Sequence, residues 1–466
     1  MKRAQERHEL LETLQTLSSS GSSHEERLKL VAKLFQSNLN IIEDCMLQVT
    51  HVCITQPHPE IQQHLSSFLH WLAGNSLMLA LKLSWTIDAI TDFFISSGMS
   101  DQIKKIHDRI ETVAINQDRQ LPAPWDRLVL AGAGRRAHAA PLTREDRPDA
   151  DVVMRKEQRL KLYNDERAFV SFLTDLSNQL RFFPDRSKRK VELRKRLAEV
   201  NEHLASLRLV HPLCRSNDHV RWIVHIAVEE CTVFSSRERA PYLIRYEVVV
   251  DDTATLADPS QSRLRQKDGS FKVSSASQDV YVPGADMDDS SSSSGEEAAG
   301  GSRSRSRSSR AGAAPPNEAL QSAFGESAEE RHARIRRESP WGAHPNWSMN
   351  SMIVKAGDDL RQEELALQLI YMFDRVWSEA GLTCRAHPYV ALPTSSDSGL
   401  LEVVENSNSM DGIKKACRVS SIYQFYVKAF EQENSKLYLE AQRNFAETLA
   451  GYSIISYMLQ IKDRHN

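Results

Sequence analysis

Between residues 26 and 117 apolar positions recur at intervals of three and four, most clearly in Leu65, Phe68, Leu69 and Leu72 and again in Leu79, Leu83, Ile87 and Ile90. That interval sets side chains on one face of an α-helix. Only Pro57, Pro59, Gly74 and Gly98 interrupt the stretch, so it predicts a block of packed helices. Such a block is similar in kind to a helical-pair solenoid, although no fixed repeat period recurs. Residues 118–164, and most plainly 121–151, turn to Pro, Ala, Gly and Arg and read as a linker that buries too little apolar area to order itself. Helices are predicted next over 165–183, with Phe169, Phe172, Leu173, Leu176 and Leu180 on one face, and over 186–207, with Leu193, Leu197, Val200 and Leu204.

The period then changes to that of strands. Trp222, Ile223, Val224 and Ile226, and later Tyr242, Leu243, Ile244, Tyr246 and Val248, form two runs rich in β-branched and aromatic residues whose pairing would begin a sheet. Residues 251–328 interrupt it with Asp, Ser, Gly and Arg, including an acidic-serine run at 288–297 and an Arg-Ser run at 303–310, a composition that predicts a disordered insert. Order resumes at Ser339, Pro340, Trp341 and Gly342, a turn-rich stretch leading to a strand over 351–355. Ala356 and Gly357 break that strand, and Asp358 or Asp359 is suited to cap a helix over 360–377. A last helix is predicted over 434–461, with Leu437, Ala441, Phe445, Tyr452, Ile455 and Leu459 on its buried side.

Composition narrows the function classes. Fifty-nine Lys and Arg against 62 Asp and Glu leave a net charge of -3, so no overall basic field draws the chain to nucleic acid. The Arg-Ser run holds four Arg, adjoins an acidic run and accompanies no RNA-binding signature. It reads as a phosphorylatable loop with a phosphoserine-binding partner at 303–310. The six cysteines are scattered without a C-x-x-C pair, which argues against a zinc site or a disulfide framework and for a reducing, cytoplasmic compartment. The first ten residues are charged and lack an apolar run, so they are not a signal peptide. The most apolar stretch, 68–90, contains His70, Asn75, Lys82 and Asp88, which marks core helices in place of a membrane span.

The chemistry concentrates after residue 350. Leu360, Glu363, Leu367 and Ile370 share one helix face, so a carboxylate stands among residues that point inward and calls for a cation. Lys355, at the end of the preceding strand and on the same face as Ile353, is the candidate. A strand lysine held by a helix carboxylate is how kinases keep ATP phosphates in register, and an ordinary structural ion pair gives the same pattern.

The wording around the pair is more specific. Ile353-Val354-Lys355-Ala356-Gly357-Asp358-Asp359-Leu360-Arg361-Gln362-Glu363 closely resembles the phosphoinositide-kinase signature. Ser339-Pro340-x-Gly342, Asp397-Ser398-Gly399, Ala441-Gln442-Arg443-Asn444-Phe445 and the closing 460–466 resemble the type III beta phosphatidylinositol 4-kinases. The likeness is strong over the last third, weaker over 165–250, and only one of kind before that.

It implies an α+β protein: a solenoid-like helical domain at 26–117, a linker at 118–164, the start of a kinase N-lobe at 165–250, the insert at 251–328, and N-lobe, hinge and C-lobe start at 329–466. It implies that Lys355 contacts ATP phosphates with Glu363 holding it, that Ser339 and Gly342 belong to a loop over the phosphates, and that Ile353 and Tyr389 line the adenine pocket. Glu402, Val403 and Val404 resemble the hinge, with Val403 standing where the family often has Pro. Asp463 and His465 resemble catalytic-loop residues. The family's magnesium ligands lie beyond Asn466, so the resemblance implies a chain truncated in its catalytic loop and inactive as written. The implied reaction passes the ATP γ-phosphate to the 4-hydroxyl of phosphatidylinositol, with Mg2+, on a Golgi-type membrane, and with a small GTPase or adaptor on the helical domain. Two alternatives stand beside it, a pseudokinase serving as an adaptor and a phosphoinositide kinase of different head-group specificity.

Overall fold

A computed structural model describes residues 2–19, 21–95, 98–119, 150–234, 236, 238–262, 264, 318–430 and 433–462. The N-terminal part is helical: α1 (Lys2–Ser18), α2 (His24–Gln36), α3 (Leu39–Asp44), α4 (Met46–Thr55), α5 (Pro59–Asn75), α6 (Leu77–Phe94) and α7 (Ser100–Asn116). Ser23 starts α2 with a reciprocal cap: its hydroxyl accepts the Glu26 N–H at 3.3 Å, and the Glu26 carboxylate accepts the Ser23 N–H at 2.8 Å. Helix α6 is the centre of the block. Leu77, Leu79, Leu81, Leu83, Ile87 and Ile90 are all buried, as expected of a helix that is apolar all round. Its polar residues are matched within the protein: Lys82 Nζ lies 2.8 Å from Glu43, and Asp88 lies 2.9 Å from Arg167. Among the described residues no helix is long and apolar enough to cross a membrane.

Two more helices, α8 (Ala150–Leu180) and α9 (Arg186–His203), lead to the sheet formed by β1 (His219–Ile226), β2 (Thr232–Val233), β3 (Tyr242–Thr255), β4 (Trp347–Ala356), β5 (Ala391–Ser395) and β6 (Ser398–Glu402). Its order is β1-β3-β4-β6-β5, with β2 pairing on β3. Neighbours on that path run antiparallel. The predicted pairing of the first two strand runs is present, with Trp222 opposite Val249 and Ile226 opposite Tyr246. Helix α12 (Leu360–Glu379) follows β4 directly, and Asp359 caps it by accepting the Arg361 N–H at 3.1 Å.

The fold is of the α+β class, and its boundaries correct several expectations. Helical structure begins at Lys2, where Leu10, Leu14 and Leu17 bury one face of α1. Residues 150–164, read as linker, are the start of α8. Arg159, polar by composition, is buried there, with Nε donating to the Ile115 carbonyl at 2.7 Å and Nη1 to the Ser260 hydroxyl at 3.1 Å. The insert does not begin at 251, because β3 runs to Thr255. Buried Asp251 accepts from Thr253 N–H at 2.9 Å and from the Ser262 hydroxyl, and the Ala257 carbonyl receives the Leu77 N–H at 2.9 Å, helping to satisfy the start of α6. At the other end of the insert α10 (Glu318–Phe324) and the start of α11 (Ala328–Glu338) are helical. The runs at 288–297 and 303–310 lie outside the described residues.

The chain divides into two compact units. The first comprises residues 1–276, 344–404 and 447–463, so the N-terminal helices and the sheet belong to one unit. The second comprises 277–343, 405–446 and 464–466. Its core gathers Ala319, Ala323, Ile413, Cys417, Phe425 and Ala429 from α10, α13 (Met410–Cys417) and α14 (Ile422–Ala429). Helix α15 (Lys436–Met458) runs from the second unit into the first. On it Ile455 is buried as predicted, but Leu437 is 55% exposed and Tyr438 is buried in its place. The helical period identifies the turn of a face without fixing which neighbour covers it.

Candidate nucleotide site

From Ser351 to Ala356 strand β4 alternates half-buried and buried positions. Met352, Val354 and Ala356 are buried, while Ile353 and Lys355 alternate with them on the other face, where Ile353 packs against the cluster of Leu360, Leu367, Ile370, Ala386, Ala391, Leu401 and Ile455. Gly357, at φ +80°, takes the left-handed conformation that glycine tolerates and turns the chain from strand to helix. The turn is tied down by Asp358, whose N–H donates to the Asp397 carbonyl at 2.8 Å and whose carboxylate pairs with Arg239. Helix α12 then returns Glu363 to the strand it has just left.

Lys355 Nζ lies 3.2 Å from Glu363 Oε2. The second carboxylate oxygen, Oε1, accepts the Tyr389 hydroxyl at 2.5 Å. Glu363 is thus held by two donors from different segments, and the side chains of Lys355 and Glu363 are only 28% and 25% exposed. An ammonium has three N–H groups, and the carboxylate engages one face of it, so a partly exposed Lys355 retains capacity for an anionic ligand. Across the sheet Lys355 pairs with Gly399, which adds no side chain beside the ammonium; a Cβ there would come within 2.4 Å of the Leu392 carbonyl oxygen.

Ile353, Lys355, Glu363, Tyr389 and Glu402 all belong to the first unit. Ile353 pairs with Leu401, and Ile353 and Tyr389 border the same apolar cluster. Glu402 ends β6. Its N–H donates to the Val390 carbonyl at 2.8 Å, and its carboxylate accepts the Val390 N–H at 2.9 Å. Val403 and Val404 follow outside regular structure, Val404 56% exposed. Ser339 and Gly342 fall in the second unit, where Ser339 ends α11 and its hydroxyl accepts the Trp341 N–H at 3.0 Å. Gly342 lies so close to the Arg336 backbone that a Cβ would come within 1.7 Å of the Arg336 carbonyl, and the Arg336 Nε donates to the Gly342 carbonyl at 2.9 Å. Asp463 and His465 lie outside the described residues.

The structure adds residues that sequence reasoning missed. Arg361 donates through Nη1 to the Ala89 carbonyl at 2.5 Å, its guanidinium lies 4.2 Å from the Phe93 ring, and it pairs with Asp359 at 2.7 Å, tying the first turn of α12 to the end of α6. Glu364, beside Glu363, faces elsewhere. With Arg7, Lys82, Tyr371 and Tyr389 it lines a cavity of 320 Å³, and burial pushes its carboxyl up to about 7. The dense charge of the segment 358–364 was the available signal for Arg361; the hydroxyl contact of Tyr389, 26 residues from Glu363, had none.

Known proteins match the segment that builds this geometry. Residues 350–466 match the family model for phosphatidylinositol 3- and 4-kinase. A phosphatidylinositol 4-kinase of Dictyostelium discoideum is 41% identical over 151 residues, covering 32% of this chain and 13% of that protein. The phosphatidylinositol 4-kinase beta 1 of Arabidopsis thaliana is 27% identical over 453 residues, covering 70% of this chain and 40% of the relative. The phosphatidylinositol 4-kinase beta of Mus musculus is 29% identical over 355 residues, with 65% and 43% covered. The chain thus spans less than half the length of these relatives. Over residues 350–466 the chain is similar to the phosphatidylinositol 3- and 4-kinase family, and beta-type phosphatidylinositol 4-kinases are among the relatives it matches.

Proposed function

We propose that the first unit supplies the ATP-phosphate contact of a phosphatidylinositol 4-kinase, an enzyme that transfers the ATP γ-phosphate to the inositol 4-hydroxyl of phosphatidylinositol. The observation that carries this reading is the 3.2 Å contact between Lys355 and Glu363, with the carboxylate braced by Tyr389. Phosphoryl transfer asks a protein mainly for positioning and for positive charge near the transferred group. Glu363 fixes the ammonium of Lys355 at a set point on the sheet, where it can neutralise phosphate oxygens. Ile353 and Tyr389 give the adenine an apolar wall, and the backbone of Glu402, Val403 and Val404 offers its edge hydrogen bonds. ATP supplies the phosphoryl group and the leaving diphosphate. Asp463 and His465 are the proposed groups for orienting and deprotonating the inositol hydroxyl.

The divalent ion, taken as Mg2+, accompanies the nucleotide. Among the described residues no group of three or more His, Cys, Asp or Glu could hold a metal, so no step is assigned to a metal held by them. A lipid substrate calls for peripheral association with a membrane, and the family resemblance makes that the cytosolic face of a Golgi-type membrane. Recruitment of a small GTPase or adaptor by the helical block, and of a phosphoserine-binding partner by 303–310, belong to the same reading.

Nucleotide titration of the purified chain tests it. A fluorescent ATP analogue should bind, and Lys355→Met should weaken binding about tenfold or more, as expected for loss of a charge-assisted contact of about 1.5–3 kcal/mol. Equal affinity in the folded variant would remove Lys355 from nucleotide binding.

A further inference from the structure

Helix α12, which carries Glu363, is gripped by the N-terminal helices at two points. In its first turn the Arg361 side chain is only 11% exposed. Its Nη1 donates to the Ala89 carbonyl of α6 at 2.5 Å, and its guanidinium lies 4.2 Å from the ring of Phe93, one turn further along that helix. Nε and Nη2 donate to the two Asp359 oxygens at 2.7 and 2.8 Å, so the planar fork is fixed against the residue that caps α12. Two turns later Gln368 accepts the side-chain amide of Gln48 on α4 at 2.6 Å. Positions seven apart fall on one stripe of a helix, about 10 Å apart along its axis. Two grips on one stripe fix both the height of α12 and its rotation about that axis.

The last turns of α6 hold the neighbouring turn of the sheet as well. Ser396, between β5 and β6, donates to Asp92, and the next residue, Asp397, accepts the Asp358 N–H through its carbonyl at 2.8 Å. The turn that follows Lys355 is therefore tied to α6 from two sides. Glu363 comes two residues after Arg361, about 200° round the helix, so it faces the sheet while Arg361 faces α6. A carboxylate about 6 Å from the helix axis moves about 2 Å when the helix turns by about 20°. Added to the 3.2 Å contact with Lys355, that displacement takes the pair out of hydrogen-bond reach.

We infer that Arg361 is a positioning residue for the nucleotide site: by locking α12 to the end of α6 it sets the rotation at which Glu363 meets Lys355, with Phe93 and Gln48 acting through the same lock. This role rests on Lys355 being the nucleotide contact, and it assigns the alignment of that contact to residues outside the site. A grip that served stability alone would lower the melting temperature and leave the affinity of the folded chain unchanged.

Titration of the fluorescent ATP analogue into the full chain, with hydrogen exchange of α12 read in parallel, tests it. Arg361→Ala should weaken the analogue about tenfold, as loss of the oriented charge would. Phe93→Ala and Gln48→Ala should each weaken it about threefold. Arg361→Lys keeps a cation for the Ala89 carbonyl but loses the fork on Asp359, so its affinity should fall between those of Arg361→Ala and the parent. In a Lys355→Met background Arg361→Ala should add less than about a twofold loss, because its effect passes through the ammonium. Amide exchange over 364–368 should quicken about tenfold in Arg361→Ala. Phe93→Ala alters a side chain that is 63% exposed and supplies the measurement if Arg361→Ala does not fold. The role is overturned if folded Arg361→Ala or Phe93→Ala binds as the parent does, if the loss is undiminished in Lys355→Met, or if exchange across α12 is unchanged. Failure of the parent to bind, or equal binding by Lys355→Met, overturns the nucleotide reading and this role with it, while faster exchange in Arg361→Ala would still show that the grip holds α12.

Discussion

At the scale of single residues, Glu363 is the group on which the site turns. One of its oxygens holds Lys355 and the other receives the Tyr389 hydroxyl, so the two contacts fix both the position and the rotation of the carboxylate. Because Lys355 and Glu363 are each about a quarter exposed, their pairing contributes little to folding; partly exposed ion pairs are worth about 1 kcal/mol or less. Glu363→Gln should therefore change urea-denaturation stability by under about 1 kcal/mol. It should weaken the ATP analogue about tenfold, because the ammonium loses the charge that orients it. Tyr389→Phe keeps the ion pair and removes only the brace, so a drop of about threefold is expected, near the worth of one ordinary hydrogen bond. Equal losses in the two variants would show that the phenol, not the carboxylate, sets the position of Lys355. The pair was legible in the sequence because both members sit within nine residues on elements whose period fixes their facing sides. The Tyr389 contact was not legible, since no local pattern connects a loop hydroxyl with a helix 26 positions earlier.

At the scale of elements, periodicity identified helices and strands well and failed where polar residues became buried. Asp251 and Arg159 are of the residue types that mark insert and linker, yet each satisfies its polar atoms against backbone or hydroxyl groups inside the fold. A pattern of side-chain polarity cannot register such pairing before the partners are brought together. Helix α15 shows a related limit. Its glycine, Gly451, should weaken a helix interior by about 1 kcal/mol relative to alanine. A Cβ at that position, however, would lie 2.9 Å from Trp377 Cζ3 and 3.2 Å from the Arg385 carbonyl oxygen. The missing side chain allows the last part of α15 to press on α12, close to the cluster that contains Ile455, Leu360 and Leu367. Gly451→Val should destabilise the first unit by about 1–3 kcal/mol through overpacking. A thermal melt followed by near-ultraviolet circular dichroism would register it, and an unchanged melting temperature would show that Trp377 moves aside freely.

At the scale of the whole molecule, stability is tied to pH through ionisable groups that folding buries. Glu166 on α8 is fully buried; one oxygen accepts the Val210 N–H at 3.0 Å, the other lacks a hydrogen-bond partner, and burial pushes the carboxyl up to about 8 from 4.5. Close by in the same core, His211 meets the Tyr246 hydroxyl at 2.5 Å, and burial lowers it to about 3 from 6.5. The two act in opposite directions. For Glu166 the folded state binds the proton more tightly than the unfolded chain, so its contribution is complete below about 4.5 and is lost as pH rises toward 8. For His211 the unfolded chain binds the proton more tightly, so its contribution is complete above about 6.5 and is lost as pH falls toward 3. Glu364, raised to about 7, acts in the same direction as Glu166. Glu166→Gln keeps an acceptor for the Val210 N–H and removes one titration while leaving His211 and Glu364 in place. The stability of the variant relative to the parent should then rise by about 2 kcal/mol between pH 6 and pH 8, at about 1.4 kcal/mol per pH unit for one proton. Urea denaturation at the two pH values measures that difference directly. Parallel pH profiles for variant and parent would mean that the Glu166 carboxyl is already ionised in the folded protein, which the solitary amide contact from Val210 gives little means to support.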